Sequence, residues 1–240
     1  MNFPPAMNIP SFKNRSPAAI VTDHQFFDSS ARIFRAMSWI EYAKESRNIS
    51  AMEYAALETR IGIEQLLFEQ LIVGAGTRLD AAQYKKCKGK ATQLSHLLES
   101  LIPKYELLVE FTRAMSPVGF PVTKWDNRRL IRDSGTVSNY LHWSGGLDST
   151  VQSSAWLDKA LEVVGTAAGY VWTGITTGNT AFMRLDDAAP EIQGLWDLFS
   201  RGEISADAAR QRANKLDPIL RERCAASLEP LRIDPHYTPK

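Results

Sequence analysis

The residues with the clearest chemical potential are Ser144-Gly145-Gly146-Leu147-Asp148-Ser149-Thr150. Two adjacent glycines let backbone N–H groups approach an anion closely, and three hydroxyls add donors. An apolar-periodic stretch follows, so the loop would open onto a helix N-terminus, where the backbone dipole favours phosphate. Ser144, Gly145, Gly146, Asp148 and Ser149 are therefore candidate phosphate-binding residues. The same residue types also make an ordinary turn and helix cap.

SGGLDST resembles the pyrophosphate-binding loop of the PP-loop ATP pyrophosphatases. That resemblance spans seven residues and implies ATP binding. The family's fold needs a buried strand before the loop and several strands after it. Here the preceding TVSNYLHW is polar at alternate positions, and the later chain reads as helix. No ATP chemistry is expected, and no cofactor.

Two basic clusters could hold a nucleic-acid backbone: Lys85, Lys86, Lys88 and Lys90 in KKCKGK, and Arg128, Arg129 and Arg132. The whole chain opposes this weakly, because its formal net charge is +1, and a lysine-rich turn is usually just solvated. The two cysteines, Cys87 and Cys224, lie far apart. The four histidines, His24, His96, His142 and His236, are scattered. No metal-ligand spacing or disulfide framework emerges, and a reducing cytoplasm fits best. No Ser/His/Asp or Cys/His grouping assembles from spacing, so a non-enzymatic role leads. There is no signal-peptide pattern, and no apolar run reaches the length of a membrane span.

The positioning elements are helical. Ile49 to Gly76 predicts the central helix. Ser50 and Glu53 form a capping box, with Ile49 and Tyr54 placed as a hydrophobic staple. Gly74 and Gly76 are expected to stop it. Tyr54, Leu57, Ile61, Glu64, Phe68 and Leu71 follow a 3-4 spacing and predict the buried seam. Glu64 is the charged residue on that seam, and Arg60, one turn earlier, is its expected partner as a structural ion pair. The sharper reading makes them an interior polar site completed by another helix.

Before this helix, Asp28 or Ser29 caps another carrying Ile33, Met37 and Ile40, so the two form an antiparallel hairpin. YAALETRIGIEQLLFEQL behind such a partner resembles the central helices of HEPN-type proteins, over residues 30–115. These are small helical bundles of bacterial toxin–antitoxin and antiviral systems, many of them dimeric. The resemblance implies fold first. Its ribonuclease members carry an Arg, a polar residue and a His. Arg132 and His142 supply the types, but nine residues separate them, more than the family motif allows.

The remaining chain predicts short helices to Cys87, from Lys90 to Leu101 and from Tyr105 to Met115. Asp126 caps a segment towards Trp143 that Gly135 divides, and Asp148 starts a long helix. Residues 169–179, rich in β-branched, aromatic and Gly residues, predict an irregular or short β excursion. Pro190 opens a helix, Ser205 caps another, and Asp217-Pro218 restarts a last one. The expected architecture is all-α: an extended arm over 1–27, a single helical domain over 28–228 with a sub-boundary near 116–125, and an extended tail over 229–240. Ile192, Leu195, Trp196 and Phe199 give the 190–228 hairpin an apolar face, expected to meet a protein partner or a second copy. The function this predicts is that of a helical interaction protein, a homo-oligomer or complex subunit. A nucleic-acid-binding or ribonuclease role, and ATP binding, are the alternatives.

Overall fold

The computed structural model describes residues 11–22, 28–75, 80–87, 90–117, 119–141 and 153–227. These residues form an all-α bundle of ten α-helices: α1 (Pro17–Thr22), α2 (Ser29–Ser46), α3 (Ile49–Ala75), α4 (Ala81–Cys87), α5 (Ala91–Leu101), α6 (Tyr105–Met115), α7 (Asn127–Ser138), α8 (Ser154–Thr177), α9 (Pro190–Ser200) and α10 (Ala206–Ser227). No strand occurs among them; Val122 and Asn179 make a single isolated bridge.

The α2–α3 hairpin organises the rest. The Asp28 carboxylate accepts from Ala31 N–H and caps α2. Arg47, in the left-handed region at φ 53°, turns the chain. The Asn48 side chain then accepts from Ala51 N–H at 2.9 Å. Asn48 is thus the cap of α3, and Ser50 lies inside the first turn. The structure also corrects the far end. Gly74 is still helical and is buried. A Cβ there would fall 2.1 Å from both Ile102 Cδ1 and Phe182 Cζ. Gly74 allows close packing where a stop was expected.

The predicted seam of α3 is rotated. Ala51, Ala55, Thr59, Gly62, Leu66 and Gln70 are buried. Met52, Ala56, Ile63, Leu67 and Leu71 widen this face. Of the expected seam only Leu71 is fully buried; Tyr54 and Leu57 are exposed, and Ile61, Glu64 and Phe68 are half-buried. The reason is steric. A helix approaches its neighbour most closely where side chains are small, and Ile33 of α2 sits against Gly62, 2.8 Å from where a Cβ would stand.

Three core clusters follow. The N-terminal half of α3 packs with α2 and α8 around Trp39, Ile40, Met52 and Leu161. Its C-terminal half packs with α5 to α7 around Leu66, Leu98, Leu108 and Leu130. Phe111, Leu195 and Ala209 centre the third, where α6 meets α9 and α10.

Several local expectations change. Within the segment expected to be an extended arm, residues 17–22 are helical, and Ile20 is fully buried beside α2. Phe12 adds a ring contact to Phe34 of α2 at 5.3 Å and to Trp172 of α8 at 5.2 Å. Gly135 does not divide α7. Ser153 caps α8 by accepting from Trp156 N–H. Residues 169–177, expected to be irregular or β, continue α8, because Ala167, Ala168 and Val171 are held in the core. Only Asn179 beyond it bridges to Val122. α10 runs through Pro218 at the surface instead of restarting there.

Candidate functional site

Residues 142–150, including His142 and the Ser144, Gly145, Gly146, Asp148 and Ser149 of the phosphate-loop string, lie outside the described residues. The chain reaches them from helix α7 and a turn at 139–141, and α8 follows. The buried strand that a PP-loop requires does not occupy residues 127–141.

Arg132 sits on α7 with its side chain 69% exposed, 3.6 Å from Asp133. Arg129 also pairs with Asp133, at 3.3 Å, and its guanidinium lies 3.8 Å over the Tyr170 ring. Arg128 is exposed on the same helix. Asp133 thus neutralises part of this basic cluster. In the other cluster Lys85 and Lys90 are exposed, Lys86 belongs to α4, and Lys88 lies outside the described residues. Among the described residues no group of His, Cys, Asp and Glu is arranged to hold a metal ion.

Arg60 Nε and Glu64 Oε1 are 3.1 Å apart on successive turns of α3. Both are part-buried, at the flank of the helix rather than in the interior. Interior polar contacts lie elsewhere. Glu58 receives Arg35 at 3.0 Å and Arg32 at 3.1 Å, tying α2 to α3. The Glu69 carboxylate accepts both Ser29 N–H and its hydroxyl. Burial of Glu69 pushes its carboxyl above the usual carboxylate range, and the Ser29 hydrogen bonds oppose this. Gln70, fully buried, accepts from the Tyr105 hydroxyl at 2.7 Å, and burial raises the Tyr105 phenol. Glu58, Glu69 and Gln70 escaped the sequence because their partners lie many residues away.

The aromatic anchors expected to meet a partner from α9 meet α6 instead. Trp196 and Phe199 each lie 5.6 Å from the Phe111 ring, and Leu195 is buried there. Ile192 packs on the same cluster, with Ala213 and Leu216 of α10. The hairpin face is therefore occupied by the chain's own core. A cavity of about 330 Å³ beside it is walled by Ile102, Leu108, Phe182 and Trp196, with Arg184 and Asp186 in its lining.

Among the described residues, four of the seven exposed large apolar side chains are on the longest helix. Along the outer face of α3, Tyr54 is 54% exposed, Leu57 42% and Ile72 43%. Ile61 and Phe68 lie between them, half-buried. With Gln65 these six residues recur at spacings of three and four, so they form one nearly straight stripe. The 3-4 pattern was legible in the sequence, but periodicity does not say which side of a helix apolar all round is covered.

No family model matches the chain, and no curated protein or solved structure gives a significant match. What the fold defines is an all-α bundle, and no described helix is long and apolar enough to cross a membrane.

Proposed function

We propose that this is a helical interaction protein, working as a homo-oligomer or complex subunit in a reducing cytoplasm, and that its working surface is the outer face of α3. The carrying observation is the Tyr54–Leu57–Ile61–Phe68–Ile72 stripe. Single exposed leucines are ordinary on a surface, whereas an apolar stripe, here interrupted at Gln65, marks an interaction site. The antiparallel α2–α3 pair also suits the HEPN-like resemblance, which belongs to the same proposal. The test is light scattering on the full chain, pure and as isolated from its native cells. Assemblies above the 26.8 kDa chain mass are expected, and Leu57→Glu should dissolve them without loss of helicity by circular dichroism. Association unchanged by Leu57→Glu would overturn this reading.

Nucleic-acid contact is the second reading, favoured by Arg128 and Arg132, exposed one turn apart on α7. Fluorescence anisotropy with a single-stranded RNA oligomer should then show salt-dependent binding. Binding that survives Arg128→Glu/Arg132→Glu would exclude this helix as the contact.

A further inference from the structure

We infer that residues 11–22 are a strap, a peptide ligand held in cis on a docking site of α2 and α8, and that the vacated site takes a second peptide with phenylalanine, arginine and isoleucine at the same spacing. This site stands apart from the outer face of α3 and does not depend on it.

The segment is built like a ligand. Only Phe12, Arg15, Ala19 and Ile20 are drawn into the fold, and the other residues of 11–22 are exposed. Asn14, left-handed at φ 57°, turns the chain so that Phe12 and Arg15 converge on Phe34. Asparagine tolerates that conformation better than most residues. Ser16 then accepts from Ala19 N–H at 3.2 Å and caps α1, with Pro17 as its first residue. A helix of six residues is unstable alone. α1 therefore forms only on its site, and ordering and docking are one event.

The site is shaped for three anchors. Phe34 of α2 and Trp172 of α8 stand 6.0 Å apart, and the Phe12 ring meets them at 5.3 Å and 5.2 Å, edge-on to Trp172. Ring pairs of this kind add to the burial of their apolar area. The Arg15 guanidinium lies 4.8 Å over the Phe34 ring and donates to Ser38 Oγ. Ser38 is fully buried, and its own hydroxyl donates to Phe34 O at 2.9 Å. A hydroxyl that has donated once still accepts, and here it accepts from a cation. Ile20, fully buried, enters the core cluster of Ala36 and Ile40. An aromatic slot, a buried acceptor and an apolar pit thus select Phe12, Arg15 and Ile20 by type and spacing.

The strap is also the part of this region that opens first. Few side chains hold it, whereas α2 and α3 are held by the main core. Segments with few buried contacts open locally, well below the free energy of global unfolding.

The test uses the full-length protein and a fluorescein-labelled synthetic peptide of residues 11–22, followed by anisotropy. In wild type the strap competes with the peptide at an effective concentration on the order of millimolar. Phe12→Ser/Arg15→Ala weakens the strap and leaves the site intact, so this variant is expected to bind the peptide at least about tenfold more tightly than wild type. A peptide carrying Arg15→Ala should bind the variant about tenfold more weakly. Equal binding to both proteins, or binding to neither, overturns the strap. Binding that Arg15→Ala in the peptide leaves unmoved overturns the site. Hydrogen exchange of wild type decides the matter without a variant. Ile20 N–H, bonded to Ser16 O at 3.0 Å, should exchange at least about tenfold faster than the central amides of α2. Equal protection would mean that the segment opens only with the whole fold, and would overturn the proposal.

Discussion

Glu69 of α3 caps the start of α2: its carboxylate accepts the Ser29 backbone N–H at 2.8 Å and the Ser29 hydroxyl as well. The first turn of a helix has backbone donors without intrahelical partners, and a carboxylate near it is stabilised by the dipole. Asp28 satisfies Ala31 N–H from the same chain end, and Glu69 satisfies Ser29 from forty residues away. The hairpin is thus locked at its open end by a side chain from its second helix.

This arrangement has a pH signature. Burial, the largest influence on Glu69, raises its carboxyl above 4.5 in the folded protein. The folded state then binds more protons than the unfolded one in the window from the unfolded value up to the raised one. Stability from this group is fully present below the unfolded value and falls as pH rises through the window. Urea denaturation of wild type and Glu69→Gln across pH 4 to 7 (roughly the carboxylate window and above it) should show this downward slope in wild type only. Parallel profiles would refute it.

The Glu58 carboxylate holds Arg32 and Arg35 together, with the Arg35 side chain nearly buried. Removing one partner of a buried pair leaves a charge without its counter-ion. Glu58→Ala should destabilise the fold by about 3 kcal/mol, and Glu58→Gln by less. Chemical denaturation measures both, and a neutral Glu58→Ala would show that the pair contributes nothing net.

Within α8 three glycines should respond with opposite signs. A Cβ at Gly174 would fall 2.2 Å from the Trp125 ring. That ring is fixed by its hydrogen bond to Thr180 Oγ1 at 2.9 Å and by Tyr170. Gly174→Ala should cost about 1–3 kcal/mol through overpacking. At Gly165 and Gly169 nothing lies within 4 Å, so Ala there should stabilise by roughly 0.5–1 kcal/mol through helix propensity. Melting of the three single variants checks the order, and equal shifts would contradict it.

The SGGLDST string is expected to show no ATP pyrophosphatase chemistry, since α7 and a turn lead into it. Isothermal titration with ATP and magnesium should record no specific heat. Micromolar binding that Asp148→Ala abolishes would promote an enzymatic function over the interaction role.

The Arg60–Glu64 pair and the helical character of most described elements from α2 to α10, residues 169–177 excepted, were legible in the sequence, because each depends on residues within a few turns. Caps at Asp28, Asp126 and Ser205 read correctly for the same reason. Asn48 displaced Ser50 because a cap is fixed by where the chain turns, here by the left-handed Arg47.

Tertiary structure alone decided which face of α3 lies inside. Periodicity marks two apolar sides on this helix, and the choice falls to whatever packs closest. Ile33 seated on Gly62 brings α2 onto the small-residue side, leaving Tyr54, Leu57 and Ile72 outside. Tertiary structure also decided that Trp196 and Phe199 belong to the core, because Phe111 from a distant helix covers them. Glycine-rich residues 169–177 stay helical for a similar reason: Gly174 and Val171 face Trp125 and the core, and that packing outweighs a propensity difference of about 1 kcal/mol per glycine. Local sequence sets where most of the described helices form, residues 169–177 excepted, and long-range packing assigns their faces.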